Sequence, residues 1–439
     1  MHVSSSKRWL VGLTLVAVLL FSAFLWVKPL LHIGGGYAAK HACSCHFLQG
    51  RTLEDISEND LNFSVLGQFS LGVQDRTVES SLFGLVTRRA AFLGERGCVL
   101  INDDAMPLPT VVENTPVFPD PAELSTELLP DYDDALDYGM RDVPGGGARG
   151  MVILENGRLV AERYREGFDA TTPLLGWSMT KTLTGMAIGV YLESHASNGL
   201  SPTETVERTN QLFPGIWTDD RSRVALTDLM HMNSGIEWNE GYGSITDATV
   251  MLHEKADFAE FAQRHRLTQA PGTVWNYSSG TTNMLMDFLR EELGGNDRLY
   301  AFLDSLYGPI APSLVIEPDQ SGRPVGSSYG WATTRDWARL GQFMLQNGVW
   351  QGDTLLPPGW IDYMREPAAG SEDLYGAQLW LPGPETPSLP EDAFMMRGFQ
   401  DQRVFIIPSR NLVIARLGHG EDKVTDFEGL ISRILAARE

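Results

Sequence analysis

Lysine is scarce in this chain. Lys7, Lys28, Lys40, Lys181, Lys255 and Lys423 are its lysines, and arginine supplies the rest of the 34 basic residues. Against 56 acidic residues this gives a formal net charge of −22. That balance excludes the basic face a nucleic-acid partner would need and disfavours adhesion to anionic headgroups. Cysteine is nearly absent as well: Cys43, Cys45 and Cys98 are the complete set. His41 and His46 flank the first two, but no second Cys/His pair completes a usual zinc pattern. The Cys-x-Cys-His order is one residue short of a haem attachment motif. No metal and no cofactor are expected. Lys40-His41-Ala42 before Cys43 is the wrong chemistry for a lipoprotein signal. The sequence also lacks internal repeats and low-complexity tracts.

What is present begins with an uncharged apolar run of 19 residues from Trp9 to Val27, preceded by Lys7 and Arg8. It is long enough to span a bilayer. The charges ahead of it suggest a cytoplasmic N-terminus and an exported, periplasmic body, although Lys28 blunts that asymmetry. The nearest small-residue cleavage candidate, Gly36-Tyr37-Ala38, lies well past the run, so an uncleaved anchor is expected ahead of a cleaved signal. In an exported compartment a disulfide is expected from Cys98 to Cys43 or Cys45.

The 439 residues, 43% hydrophobic and 21% charged, are enough for two or three domains or one large one with additions. Residues 1–30 read as the membrane segment. Residues 31–135 read as an accessory region, with strands or short helices at Leu61 to Val73 and Leu82 to Phe92, closing in a Pro- and acid-rich linker from Ala105 to Asp131. Residues 136–439 read as one domain. It opens on a hairpin turned at Asn156-Gly157 and is mostly helical between 200 and 300. It continues with a helix from Thr333 to Gln346 and closes on two strands, Arg403 to Pro408 and Asn411 to Leu417, before a helix from Asp426 to Ala437. Strands at both ends with helices between predict an α+β domain whose antiparallel sheet is assembled from the two ends.

The scarcity of lysine sharpens one short pattern. Ser178 stands three residues before Lys181, where an apolar helical stripe begins (Leu183, Met186, Ala187, Val190, Tyr191). Positions i and i+3 share a helix face, so the Lys181 amine can reach the Ser178 hydroxyl. A lysine that loses its proton through burial is a competent general base for a serine nucleophile, and a helix N-terminus favours negative charge there. Ser4-x-x-Lys7 matches the same pattern with no plausible chemistry. About a hundred residues on lies Trp275-Asn276-Tyr277-Ser278-Ser279-Gly280, where Tyr277 could relay a proton. Met396-Arg397-Gly398-Phe399 is read as opening the strand that runs to Pro408. A glycine there lets backbone approach a ligand, and the Phe399 N–H could pair with that of Ser178 as an oxyanion hole.

Taken together these elements resemble the Ser-x-x-Lys, Tyr-x-Asn and Lys-Thr-Gly boxes of the serine β-lactamase and penicillin-binding-protein superfamily, over about residues 140–439. The stretches Leu226 to Gly235 and Pro271 to Ser279 look most like its class C-like branch of esterases and 6-aminohexanoate-oligomer hydrolases. The resemblance implies a β-lactamase/transpeptidase-like fold with a helical subdomain. It implies Ser178 as nucleophile, Lys181 as base, Tyr277 as proton shuttle, and the N–H groups of Ser178 and Phe399 around the oxyanion. Two boxes depart from the pattern. Ser279 replaces an asparagine that contacts a substrate amide, and Met396-Arg397-Gly398 replaces Lys-Thr-Gly, which helps bind the β-lactam carboxylate. The departures favour a small-molecule ester or linear amide substrate, bound among Ser279, Arg397, Gly398 and Trp238, with Tyr375 and Trp380 as further candidates. The alternatives are a β-lactamase or DD-peptidase, and a silent binding module on the same fold. Gly326-Ser327-Ser328-Tyr329-Gly330 fits the Gly-x-Ser-x-Gly nucleophile elbow, but a polar segment precedes it where that elbow needs an apolar strand, so it is read as a loop.

Overall fold

The computed structural model describes residues 5–112, 126–195 and 200–438. Two antiparallel sheets and a long N-terminal helix organise them. The main sheet takes Phe394–Gly398, Gln402–Ile407, Leu412–His419 and Gly146–Glu155 in that spatial order. Arg158–Tyr164 and the short Asp142–Val143 both pair with Gly146–Glu155. The first and last thirds of the domain meet where Ile153 faces Ile414 and Val152 faces Ala415. The sheet is therefore built from both ends of the domain. Its strands are nearly continuous apolar runs because both faces are covered. Ile153, Phe405 and Ile414 point to one face, against the C-terminal helix Phe427–Ala436 and the helix Asp133–Gly139. Val152, Val404 and Val413 point to the other, into the main core with Trp337 and Phe343 of the helix Thr334–Leu345.

One expectation at the sheet edge is corrected. Arg397-Gly398-Phe399 does not open the strand to Pro408. Phe394–Gly398 is a strand of its own, and Phe399 lies in the tight turn before Gln402–Ile407. Within this three-residue turn, 399–401, Gln400 and Asp401 both hold positive φ (59° and 60°). The sequence carries no Asn-Gly or Asp-Gly there. Instead the Asp401 carboxylate accepts the N–H groups of Lys423, Val424 and Thr425, which ties the turn to the next loop.

The N-terminal region departs further from expectation. One helix runs from Ser5 to Gln49, through Pro29 and through Gly34-Gly35-Gly36. Those glycines are sites of close packing: a Cβ at Gly35 would lie 2.9 Å from the Phe69 ring, and one at Gly36 would lie 3.1 Å from His253. From Ile33 onward the helix is largely buried. It packs on a second sheet, ordered Ser70–Gln74, Thr77–Leu82, Val86–Phe92, Cys98–Ile101, and on the helix Asp247–Glu254. Cys43 is bonded to Cys98, and Cys45 is free and buried. Two positions apart, helical cysteines face different sides, which decides between the two pairings the sequence left open. Residues 113–125 of the linker lie outside the described residues. Its described flanks are tied down, Val112 beside Leu93 and Glu127 beside Leu159.

Candidate functional site

The strand Pro173–Leu175 ends at Gly176, and a single 3-10 turn, Trp177–Met179, leads into the helix Thr180–Ser194. This turn fixes Ser178. Trp177 takes φ +48°, an uncommon conformation for a bulky residue. The Thr180 hydroxyl donates to the Trp177 carbonyl at 2.7 Å and accepts the Gly330 N–H at 2.9 Å. The helix is buried nearly all round, so Lys181 one turn on sits in the core at 1% exposure, while Ser178 is half-buried and reachable.

Lys181 Nζ donates to Ser178 Oγ (2.9 Å), Ser279 Oγ (2.9 Å) and the Ser327 carbonyl (3.0 Å). Three donors meet three neutral acceptors. Burial pushes the amine down to about 8, with the charge of Glu240 pulling the other way. At pH 8 half of it is therefore the neutral base that Ser178 needs. The Tyr277 ring lies under the same amine, 4.9 Å from ring centroid to Nζ. Burial and the Glu240 charge raise the Tyr277 phenol, opposed by a hydrogen bond with Ser178 and by the charge of Arg397. The phenol is held neutral, as a proton relay between nucleophile and leaving group would be.

Two features here escaped sequence reasoning. Glu240 accepts from Ser279 N–H (2.8 Å), Ser279 Oγ, Tyr242 OH (2.7 Å) and Trp238 Nε1. Its carboxylate stands behind Ser279, one hydroxyl away from the lysine. An acid flanked by aromatics in Trp238-Asn-Glu-Gly-Tyr242 was the available signal, but nothing local ties it to residue 181. The second feature is the Gly326–Gly330 loop. It holds no nucleophile elbow. It packs on the helix Thr180–Ser194, where a Cβ at Gly330 would collide with Thr180 (2.7 Å), and it presents the Ser327 carbonyl to Lys181.

The other expected residues separate. Gly398 is required by close approach: a Cβ would lie 2.1 Å from the Gly176 carbonyl, so the strand end is pressed against the turn that carries Ser178. This brings Phe399 beside Trp177, their rings edge to face at 5.8 Å. Trp275, Tyr375 and Trp380 box in Tyr277, with centroids 5.4–6.3 Å from its ring. Arg397 lies over Trp380 (4.5 Å) and 3.4 Å from Glu385. Trp238 packs on Phe261 and His265 and holds Glu240.

The N-terminal helix touches this site. Tyr37 stacks on Trp177 at 6.1 Å and 13°, and Trp177 Nε1 donates to Gln400 at 3.2 Å. One helical turn on, His41, Cys45 and Asp60 bring donor atoms within 4.8 Å of one another. That cluster is poorly suited to a cation, because Arg51 and Arg149 both already bind the Asp60 carboxylate. Cys43 is taken by the disulfide, and His46 bonds the Arg51 carbonyl.

The β-lactamase family model matches residues 133–439. The chain belongs to the β-lactamase family. The match covers all three boxes and the whole main sheet, and it leaves out the N-terminal helix and second sheet. The chain is 25% identical over 334 residues to the 6-aminohexanoate-dimer hydrolase of Paenarthrobacter ureafaciens, spanning 70% of this chain and 80% of that relative. Among solved structures it is similar to a family VIII carboxylesterase (TM-score 0.54, 13% identity, 71% of this chain and 98% of that one). It is equally similar to a penicillin-binding-protein homologue from Caulobacter crescentus (TM-score 0.54, 14% identity, 71% and 98%). The β-lactamase/transpeptidase-like fold expected from the sequence is thus present.

Proposed function

We propose that this protein is a serine hydrolase that cleaves an ester or a linear amide through an acyl-enzyme. The observation that carries the reading is the buried Lys181 amine, 2.9 Å from Ser178 Oγ and touching no carboxylate. Neutral Lys181 takes the hydroxyl proton as Ser178 Oγ bonds to the substrate carbonyl carbon. The N–H groups of Ser178 and Phe399 receive the developing oxyanion. As the tetrahedral intermediate collapses, the bond to the alcohol or amine leaving group breaks and Tyr277 passes it the proton held at Lys181. Water then repeats the sequence on the acyl-Ser178 ester, giving the acid and free enzyme. The kinship with an amide hydrolase supports the reaction class, and the altered second and third boxes support a substrate other than a β-lactam. Ser279 spends its hydroxyl on Lys181 and Glu240, and Arg397 is engaged by Trp380 and Glu385, which leaves neither the amide nor the cation that the family pattern offers to substrate.

The same reading places the body outside the cytoplasm, held by the apolar half of the N-terminal helix. The Cys43–Cys98 disulfide fits an oxidising compartment. Cleavage at Gly36-Tyr37-Ala38 would cut a buried helix beside Trp177, which favours the uncleaved anchor over the cleaved signal. A fluorophosphonate probe tests the chemistry. Adduct at Ser178 in the intact protein, absent from Ser178→Ala, is expected. A folded protein that takes up no probe would overturn the assignment.

A further inference from the structure

The second sheet ends in an unusual hairpin. Its tip, Leu82-Phe83-Gly84-Leu85-Val86, is apolar throughout, and no charged residue occurs from Ser80 to Thr87. Phe83 is 80% exposed and Leu85 62%. Exposed strand ends are ordinarily blunted by charge or proline, and this one is not.

The hairpin's place relative to the long helix gives it a use. The Ser80 hydroxyl donates to the Gly35 carbonyl at 2.7 Å. Two residues on, Leu82 packs with Val86, Phe69 and Leu31 of the helix. Two strand residues advance about 6.6 Å, and the four helix residues from Gly35 back to Leu31 advance about 6 Å. The strand therefore runs alongside the helix, antiparallel to it, toward the helix's N-terminal half. One more residue brings Phe83 level with about Pro29. That is where burial of the helix gives way to the exposed apolar residues Leu30, Trp26, Leu25 and Phe21. At the level of His32 the surface is polar: Arg88 and His32 both bind Glu254. The tip thus projects past this polar cluster to the depth at which the apolar helix leaves the body.

We propose that this hairpin is a second membrane contact, with Phe83 and Leu85 inserted in the interfacial layer of the leaflet from which the helix emerges. The proposal rests on the reading of the N-terminal helix as an anchor. A single helix lets a domain tilt and swing, and a second contact on the same body fixes its height and tilt. Tyr37, which stacks on Trp177 beside Ser178, is six helix residues from Leu31, about 9 Å of axial rise. The nucleophile turn would be held close above the lipid surface, where an amphiphilic ester or amide concentrates.

The test uses the full-length protein in phosphatidylcholine vesicles, with an environment-sensitive fluorophore on single introduced cysteines and doxyl-labelled lipids as quenchers. The sites are Phe83→Cys, Leu85→Cys, Leu19→Cys in the anchor, and Asp75→Cys in the turn at the opposite end of the same sheet. The expected result is quenching at Leu19 by deep doxyl groups, several-fold stronger quenching by shallow doxyl groups at Phe83 and Leu85 than at Asp75, and a blue shift at both tip sites. Quenching at Leu19 with Phe83 and Leu85 no more quenched than Asp75 would overturn the proposal and leave the anchor standing. Absence of quenching at Leu19 would overturn the anchor and the proposal with it. A blue shift at Phe83 without lipid quenching, together with cross-linking of two copies through Phe83→Cys, would assign the tip to self-association instead.

Discussion

Two buried lysines sit within one fold and are treated in opposite ways. Lys40, 4% exposed, is in direct contact with the Glu317 carboxylate, and Ser44 joins both. Glu317 also receives Trp331 Nε1 (2.8 Å) and the Cys98 N–H (2.7 Å), so the acid is fully satisfied and the pair bolts the N-terminal helix to the catalytic core. Lys181, 1% exposed, touches two hydroxyls and a carbonyl. Its acid, Glu240, is set back behind Ser279. Burial lowers the Lys40 amine too, and the Glu317 carboxylate in direct contact opposes that fall. A carboxylate one hydroxyl removed leaves the amine within reach of neutrality while still orienting what surrounds it. On the proposed mechanism, the difference separates a structural lysine from a base.

The comparison breaks most visibly at the lysines themselves. Lys181→Met should lower kcat/KM at least about a thousandfold, since the general base is lost with the nucleophile intact. It should leave the protein at least as stable as the parent. The fall in the Lys181 amine from 10.5 to about 8 is a depressed folded-state value. Between those pH values the unfolded chain binds more protons, so stability rises with pH across that window, and below it the buried charge costs about 3 kcal/mol. Lys40→Met should do the reverse. It strands Glu317 without its cation and should cost about 3–5 kcal/mol in denaturant unfolding, with activity per folded molecule little changed.

Tyr37→Ala sharpens the comparison from the side of the helix. Tyr37 touches no reacting atom, but it backs the Trp177 ring in its left-handed conformation. Displacement of the Ser178 N–H should reduce kcat about tenfold, read as steady-state rates per folded molecule, beside an unfolding midpoint lowered by loss of a packed ring. The smallest effect is expected from Glu240→Gln, which keeps the hydrogen bonds to Ser279 and removes the charge. That charge raises the Lys181 amine, so the acid limb of the kcat/KM profile should move to lower pH, by less than about one unit.

The sequence made Ser178, Lys181 and Tyr277 legible because two of them lie within one helical turn and the third sits in a stretch with its own motif. The two-ended sheet was legible from its apolar strands and the Asn156-Gly157 turn. What stayed hidden was non-local. Glu240 meets Lys181 only through Ser279, across a gap of 59 residues to the lysine and 39 to the serine. The Ser327 carbonyl is a backbone group that any residue could supply. The close packing of Gly35 on Phe69 and of Gly36 on His253 likewise joins residues far apart in the chain. The turn after Gly398 was hidden because Gln400 is not a turn residue by type and no glycine follows Asp401; contacts of Asp401 with residues 416–425 hold the turn.

The most direct test of the central claim is the pH dependence of the second-order rate at which a fluorophosphonate probe acylates Ser178. The expected curve rises through a single midpoint at about pH 8, the pH at which Lys181 gives up its proton. A rate that stays flat from pH 6 to pH 9 and rises only near the ordinary lysine value of about 10.4 would contradict the account, because Lys181 would then be a second structural cation like Lys40.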